Sequence, residues 1–210
     1  YNGVAILSRL PFSATDIVTD IPGLKDPQRR VLAATYGEIR FINVYVPNGS
    51  AVGSEKYSYK LEWLSKLNVY LKQQLEQYQK LIVVGDFNIA PEDRDVHDPQ
   101  AWQGSVLVSP KERQAFRALL QLGLYDSFRL FEAETGHYSW WDYRAAAFRR
   151  NMGLRIDHVL VSQALRDSCA ACKIDTTPRG WERPSDHAPV YADFIELTSQ
   201  GDFWESDRSP

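Results

Sequence analysis

Apolar residues along this chain follow two periods, and the change from one to the other marks the elements. Leu81–Val84 is a short, unbroken, β-branched apolar run that stops at Gly85. A run of that length reads as a buried strand, and the glycine lets the chain turn sharply as it leaves the sheet. Val31–Tyr36 and Ile39–Val46 are separated by Gly37-Glu38 and read as a hairpin, closed by the loop Pro47-Asn48-Gly49. From Tyr57 the spacing lengthens: Tyr57, Leu61, Leu64, Leu67, Leu71, Leu75 and Tyr78 fall three and four apart. That predicts a long amphipathic helix. Lys56, Lys60, Glu62, Lys66 and Lys72 form its other face, read as solvated. A second helix is predicted from Ser109-Pro110-Lys111-Glu112, a capping box with proline in the first turn. Phe116, Leu119 and Leu120 supply its apolar face, and Gly123 its stop.

The remaining segments are shorter. Gly3–Ser8 is strand-like around Val4–Leu7, and Pro11 and Pro22-Gly23 punctuate the stretch between it and the hairpin. Tyr138–Tyr143 (YSWWDY), Ile156–Val161 and Ala188–Phe194 read as strands. Glu92–Val108 carries Asp93, Asp95, His97 and Asp98 but lacks the glycine and terminal glutamate of a calcium loop, so it reads as solvated. Thr198–Pro210 is polar and reads as a loose tail behind a domain spanning 1–197. Several strands with two helices and no regular βαβ alternation predict a layered α/β or α+β domain.

Composition narrows the class. The chain has 210 residues, 44% hydrophobic and 24% charged, enough for one domain with a real core. Its apolar runs are too short to span a bilayer and nothing marks it for export, so the expected compartment is the cytoplasm. Cys169 and Cys172 form a lone CxxC with no partner pair to complete a zinc site, and read as reduced structural cysteines. A net charge of −3 argues against non-specific coating of nucleic acid. It leaves room for a basic rim around an acidic centre.

Polar groups recur at strand ends and adjoining loops: Tyr45 and Asn48, Asp86 and Asn88, Asp157, then Asp186 and His187. Each alone is weak; Asp and Asn after a glycine make turns as readily as sites. Together they offer acids, amides, an imidazole and a phenol, with no serine or cysteine nucleophile beside a base. That inventory suits hydrolysis by water assisted by an oxygen-preferring ion, Mg²⁺ or Mn²⁺.

NVYVPNG (43–49), GDFNIAP (85–91), GLRIDH (153–158) and SDHAP (185–189) resemble, in order, the motifs of the exonuclease III group. That group belongs to the endonuclease/exonuclease/phosphatase, DNase I-like superfamily. YSWWDYR and RGWERPSDHAPV strengthen the likeness, which runs from Gly3 to about Phe194. The resemblance implies a four-layer sandwich, two sheets face to face with helices outside. It implies a metal-dependent DNA repair nuclease: a 3′→5′ exonuclease on duplex DNA, an abasic-site endonuclease and a 3′-phosphatase, acting as a monomer.

By the same resemblance Asp86 orients or deprotonates water, and Asn88 holds water and phosphate. His187 contacts the scissile phosphate, with Asp157 orienting it. Asp86, Asn88, Asp186 and His187 serve the metal. Tyr45 reaches the phosphate or leaving oxygen, and Asn48 the DNA backbone. Trp140, Leu154 and Ile156 match the lining of a pocket for a base-free sugar, though Leu154 and Ile156 read equally as core. Trp141, Tyr143, Arg144, Arg149, Arg150 and Arg155 make an aromatic and basic stretch suited to DNA.

The family's first two motifs, an asparagine and a glutamate that bind metal, precede the GVAILS segment and have no counterpart here. With no initiator Met ahead of Tyr1, the expectation is an N-terminal piece upstream. Two other readings stay open: a phosphoinositide or phospholipid phosphatase of the same fold, or a truncated chain that binds DNA without cutting it.

Overall fold

A computed structural model of the chain describes residues 3–9, 16–24 and 26–195. The elements in order are β1 (Val31–Tyr36), β2 (Ile39–Tyr45), α1 (Glu55–Gln77), β3 (Lys80–Asp86), α2 (Pro99–Trp102), α3 (Pro110–Leu120), β4 (Leu124–Asp126), β5 (Trp140–Trp141), β6 (Gly153–Leu154), β7 (Asp157–Ser162), α4 (Gln163–Arg166), β8 (Cys169–Ile174) and β9 (Val190–Phe194). One mixed sheet runs β1-β2-β3-β7-β4, with β2 and β3 parallel and the other neighbours antiparallel. β5-β6 and β8-β9 are two-stranded antiparallel sheets.

The apolar run of β3 is continuous because both its faces are covered. Leu81 and Val83 pack with Trp63, Leu64, Leu67 and Leu71 of α1 and Phe116 and Leu119 of α3. Ile82 and Val84 point the other way, into a cluster with Cys172 and Ile174 of β8 and Val190, Ala192 and Phe194 of β9. Helices, mixed sheet and second sheet are therefore stacked layers, as the resemblance implies. α1 starts at a Ser54 side-chain cap, and α3 carries the expected Ser109–Glu112 capping box. No helix among the described residues is long and apolar enough to cross a membrane.

Some expectations change. Gly3–Ser8 forms no strand: the side chain of Asn43 bonds Ala5 O, but among the described residues no ladder neighbour pairs with the segment, and Leu7 stays exposed. A strand gains its bonds only from an adjacent strand. The Glu92–Val108 segment is not wholly solvated. Asp95 is fully buried in ion pairs with Arg155 and Arg129, and Arg155 also pairs with Asp126. Tyr138–Tyr143 contributes a strand only at Trp140–Trp141. Cys169 and Cys172 are buried and free, and burial pushes the Cys172 thiol up to about 12, as befits structural cysteines. Tyr1, Pro11 and the 198–210 tail lie outside the described residues.

Candidate active site

Strand register brings the distant motifs to one edge of the mixed sheet. Tyr45 pairs with Asp86, and Asp86 with Asp157. Gly85 makes that rung possible. At its φ of +137° a built Cβ would lie 1.9 Å from Val44 O, so only glycine lets β2 and β3 stay paired up to Asp86. Beyond the strand, Asn88 is buried with a left-handed φ of 50°. Its amide N–H donates to Asp86 Oδ1 at 2.8 Å, and its side-chain NH₂ to Asp86 Oδ2 at 2.9 Å and Val46 O at 3.0 Å. Asn48 Nδ2 donates to Asn88 Oδ1 at 3.0 Å. Four sequence-predicted residues, Tyr45, Asn48, Asp86 and Asn88, thus form one connected edge. The Arg30 guanidinium stacks 4.6 Å from the Tyr45 ring centre.

The opposite wall comes from the last loop. Trp140 bridges His187, Trp141 N donates to Asp186 O at 3.0 Å, and Ala188 N to Ser139 O at 2.7 Å. These bonds place His187 Nδ1 to donate to Asp157 Oδ2 at 2.8 Å. The same Oδ2 accepts from Ser139 Oγ at 2.7 Å. Ser139, fully buried, also accepts from the backbone N–H of Ile156 and Asp157 at 3.0 Å each. Sequence reasoning missed this serine, because a lone hydroxyl in an aromatic strand carries no spacing signal.

Asp86, Asp157 and His187 each offer a ligand atom within 4.8 Å of the others. Two carboxylates so close repel. Burial pushes the Asp86 carboxyl up to about 7, and the Asp157 charge adds to it, against His187, the Asn88 amide and Lys60. Burial opposes the charged form of His187, but the Asp157 hydrogen bond and charge, with Asp86 and Asp186 behind them, outweigh it and hold the imidazole up to about 9. The two carboxylates fit a hard divalent cation, while the protonated imidazole is left to face an anion. Asp186 lies next to this group: its charge acts on His187, and its Oδ2 accepts the Trp140 indole N–H at 2.9 Å, which fixes that half-buried ring beside the site.

The surrounding stretch divides in two. Tyr143, Arg144, Arg149 and Arg150 are exposed. Trp141 and Arg155 are buried, which corrects their reading as DNA contacts. Trp141 packs in an apolar cluster with Tyr138, Ala147 and Ala188, because its position on β5 faces inward. Arg155 is consumed by Asp95, Asp126 and His158 Nδ1. Leu154 and Ile156 are likewise sealed, among Ala90, Val96, Leu107 and Val108, so the core reading holds for both. Lys60 is a further correction. It is fully buried, not solvated, and donates to Asn48 O, Asn88 O and Glu112. The signal was present: Lys60 lies on the stripe Tyr57, Lys60, Leu64, Leu67, Leu71 and Gln74, all of them buried.

Known proteins share this arrangement. The sequence profile described as "Endonuclease/Exonuclease/phosphatase family" matches residues 1–187. Exodeoxyribonuclease III of Haemophilus influenzae is 36% identical over 182 residues, covering 81% of this chain and 68% of that protein. The 3′ phosphatase NExo from Neisseria, solved with a product DNA hairpin, superposes with a TM-score of 0.85 at 45% identity, covering 88% of this chain and 72% of that one. An AP endonuclease from Archaeoglobus fulgidus does so with a TM-score of 0.81 at 35% identity, over 85% and 70% of the two chains. The matched span, residues 1–187, takes in Tyr45, Asp86, Asp157 and His187, and the chain belongs to the endonuclease/exonuclease/phosphatase family.

Proposed function

We propose that this protein is a metal-dependent DNA repair nuclease that hydrolyses phosphodiesters with an activated water. Its expected activities are 3′→5′ exonuclease on duplex DNA, incision at abasic sites and removal of 3′ phosphates. The observation that carries the reading is the Asp86–Asp157–His187 group at a sheet edge, with Tyr143, Arg144, Arg149 and Arg150 exposed in the segment that follows Trp140 in the chain. The relatives named as exodeoxyribonuclease III and AP endonuclease support DNA as the substrate class.

In this reading Asp86 takes a proton from the attacking water, a task suited to a carboxyl raised to about 7. Asn88, whose N–H groups are all given to Asp86 and Val46 O, fixes the Asp86 oxygens toward the attacking water in place of touching the phosphate itself. The cationic His187, held by Asp157, faces the scissile phosphate oxygens. Tyr45 stands one rung away, within reach of the phosphate or leaving oxygen, and Asn48 meets the DNA backbone. Trp140 presents its ring to the sugar, with Leu154 and Ile156 backing it from the core. Mg²⁺ or Mn²⁺, held by the carboxylates of Asp86 and Asp157 with Asp186 and Asn88 beside them, would neutralise charge developing on the phosphate.

The test is cleavage of a labelled duplex carrying one abasic-site analogue, with Mg²⁺ and with EDTA. Incision that EDTA abolishes is expected. Asp86→Asn and His187→Ala should each slow turnover by about 10²–10³-fold, about 3–4 kcal/mol of barrier. Parent-like rates in either variant refute its assigned role.

A further inference from the structure

A charge pair lies inside the molecule directly behind this site. Lys60 and Glu112 are both fully buried, and Lys60 Nζ donates to Glu112 Oε1 at 2.5 Å. The other two ammonium hydrogens go to Asn88 O at 2.7 Å and Asn48 O at 3.1 Å. A lysine has three donors and no acceptor, so this one is fully committed. Its acid is anchored in turn. Glu112 accepts from Leu107 N at 3.0 Å, Ser109 N at 3.1 Å and Ser109 Oγ at 2.5 Å, and Tyr57 OH lies 2.6 Å from Ser109 Oγ. The chain of bonds runs from the start of α3 through the ammonium to Asn88, which bonds Asp86, and Asn48, which bonds Asn88.

A buried ion pair is weak evidence for a role in stability, because apolar replacements of the same volume are often as stable. What apolar atoms cannot replace is the pair of bonds to site carbonyls. Asn88 holds a left-handed backbone that persists only where its surroundings fix it. The lysine stem is packed as tightly: a Cβ on Gly49 would lie 3.1 Å from Lys60 Cδ.

We propose that Lys60 is a positioning residue of the reaction centre, tying the Asn48 loop to the Asn88 turn so that Asn48 holds the Asn88 side chain and Asn88 holds the Asp86 carboxylate. This rests on the phosphodiesterase reading above. Glu112 holds the ammonium in place and is itself no contact of the site.

The experiment is steady-state cleavage of abasic duplex by the full chain and by Lys60→Met, with folding checked by thermal melting. In Lys60→Met the Glu112 carboxylate keeps three protein donors, so a folded variant with a lower Tm is expected. Its kcat should fall by about 10- to 100-fold, with KM within about threefold of the parent. Adding Asn88→Ala to Lys60→Met should cost little more than the worse single change, because both disable the same unit. Should Lys60→Met not fold, the uncharged pair Lys60→Met/Glu112→Gln carries the same test. Unchanged kcat in a folded variant, or losses that multiply with Asn88→Ala, overturns the positioning role. Failure of both variants to fold assigns Lys60 to stability alone and overturns it too. A parent without metal-dependent cleavage overturns the phosphodiesterase reading itself.

Discussion

Replacing Ser139 with alanine removes one oxygen that serves three partners. Its hydroxyl donates to Asp157 Oδ2 and accepts from Ile156 N and Asp157 N, in a fully buried position. A hydrogen bond to a charged group contributes about 1.5–3 kcal/mol, and each orphaned buried N–H costs about 1–3 kcal/mol. Since one atom supplies all three, the expected loss sits near the lower end, about 4 kcal/mol. In a domain of this size that lowers Tm by roughly 10 °C. The catalytic loss comes from geometry. Asp157 keeps His187 as its side-chain partner but loses the bond that stops the carboxylate from turning, and the imidazole turns with it. Loss of orientation of that kind costs turnover about 10–10²-fold. Ser139→Thr keeps the hydroxyl and should restore kcat, though its methyl in a sealed site costs about 1–3 kcal/mol. Urea unfolding gives the stability difference, and abasic-duplex cleavage per folded molecule gives the rate. The reasoning is refuted if Ser139→Ala matches the parent in midpoint and kcat, or if Ser139→Thr is as slow as Ser139→Ala.

Three further outcomes are expected. Gly85→Ala forces β2 and β3 apart at the Tyr45–Asp86 rung, because the new Cβ would sit 1.9 Å from Val44 O. A displacement of about 1 Å at Asp86 should cost about 10²-fold in turnover along with stability, read by the same two assays. For pH, His187 is raised to about 9 when folded, so its contribution is complete below the unfolded value near 6.5 and is lost as pH rises through 9. With EDTA present, the parent should lose about 3 kcal/mol more than His187→Gln between pH 6 and pH 10; parallel urea midpoints contradict the raised value. Arg144→Ala removes an exposed charge, should weaken duplex binding and should lower the slope of log K against log salt by about 1, measured by fluorescence anisotropy. An unchanged slope removes Arg144 from the DNA interface.

Helix periods, caps and strand runs are local properties, and they were legible. The amphipathic stripe of α1, the Ser109–Glu112 capping box and the two-faced run of β3 each arise from residues within a few positions of one another. The four motifs that carry the site were legible as a set, because strand ends are where a sheet delivers side chains to a common edge. Tertiary structure alone decided which groups meet. Asp157 joins Asp86 and His187 because β7 lies antiparallel to β3 in a register that sets the two aspartates opposite each other, while one oxygen of Asp186 accepts from the Trp140 indole. Burial was decided there too. Arg155 looks like a DNA contact beside Arg149 and Arg150, yet Asp95 and Asp126 come from distant segments to neutralise it inside. Lys60 lies on an apolar stripe that the sequence displays, but the glutamate and carbonyls that offset the burial of its charge come from the start of α3 and from the loops at Asn48 and Asn88. A local pattern fixes which face of an element turns inward. Whether a charge on that face is a fault or a fixture depends on partners that only the folded chain brings within reach.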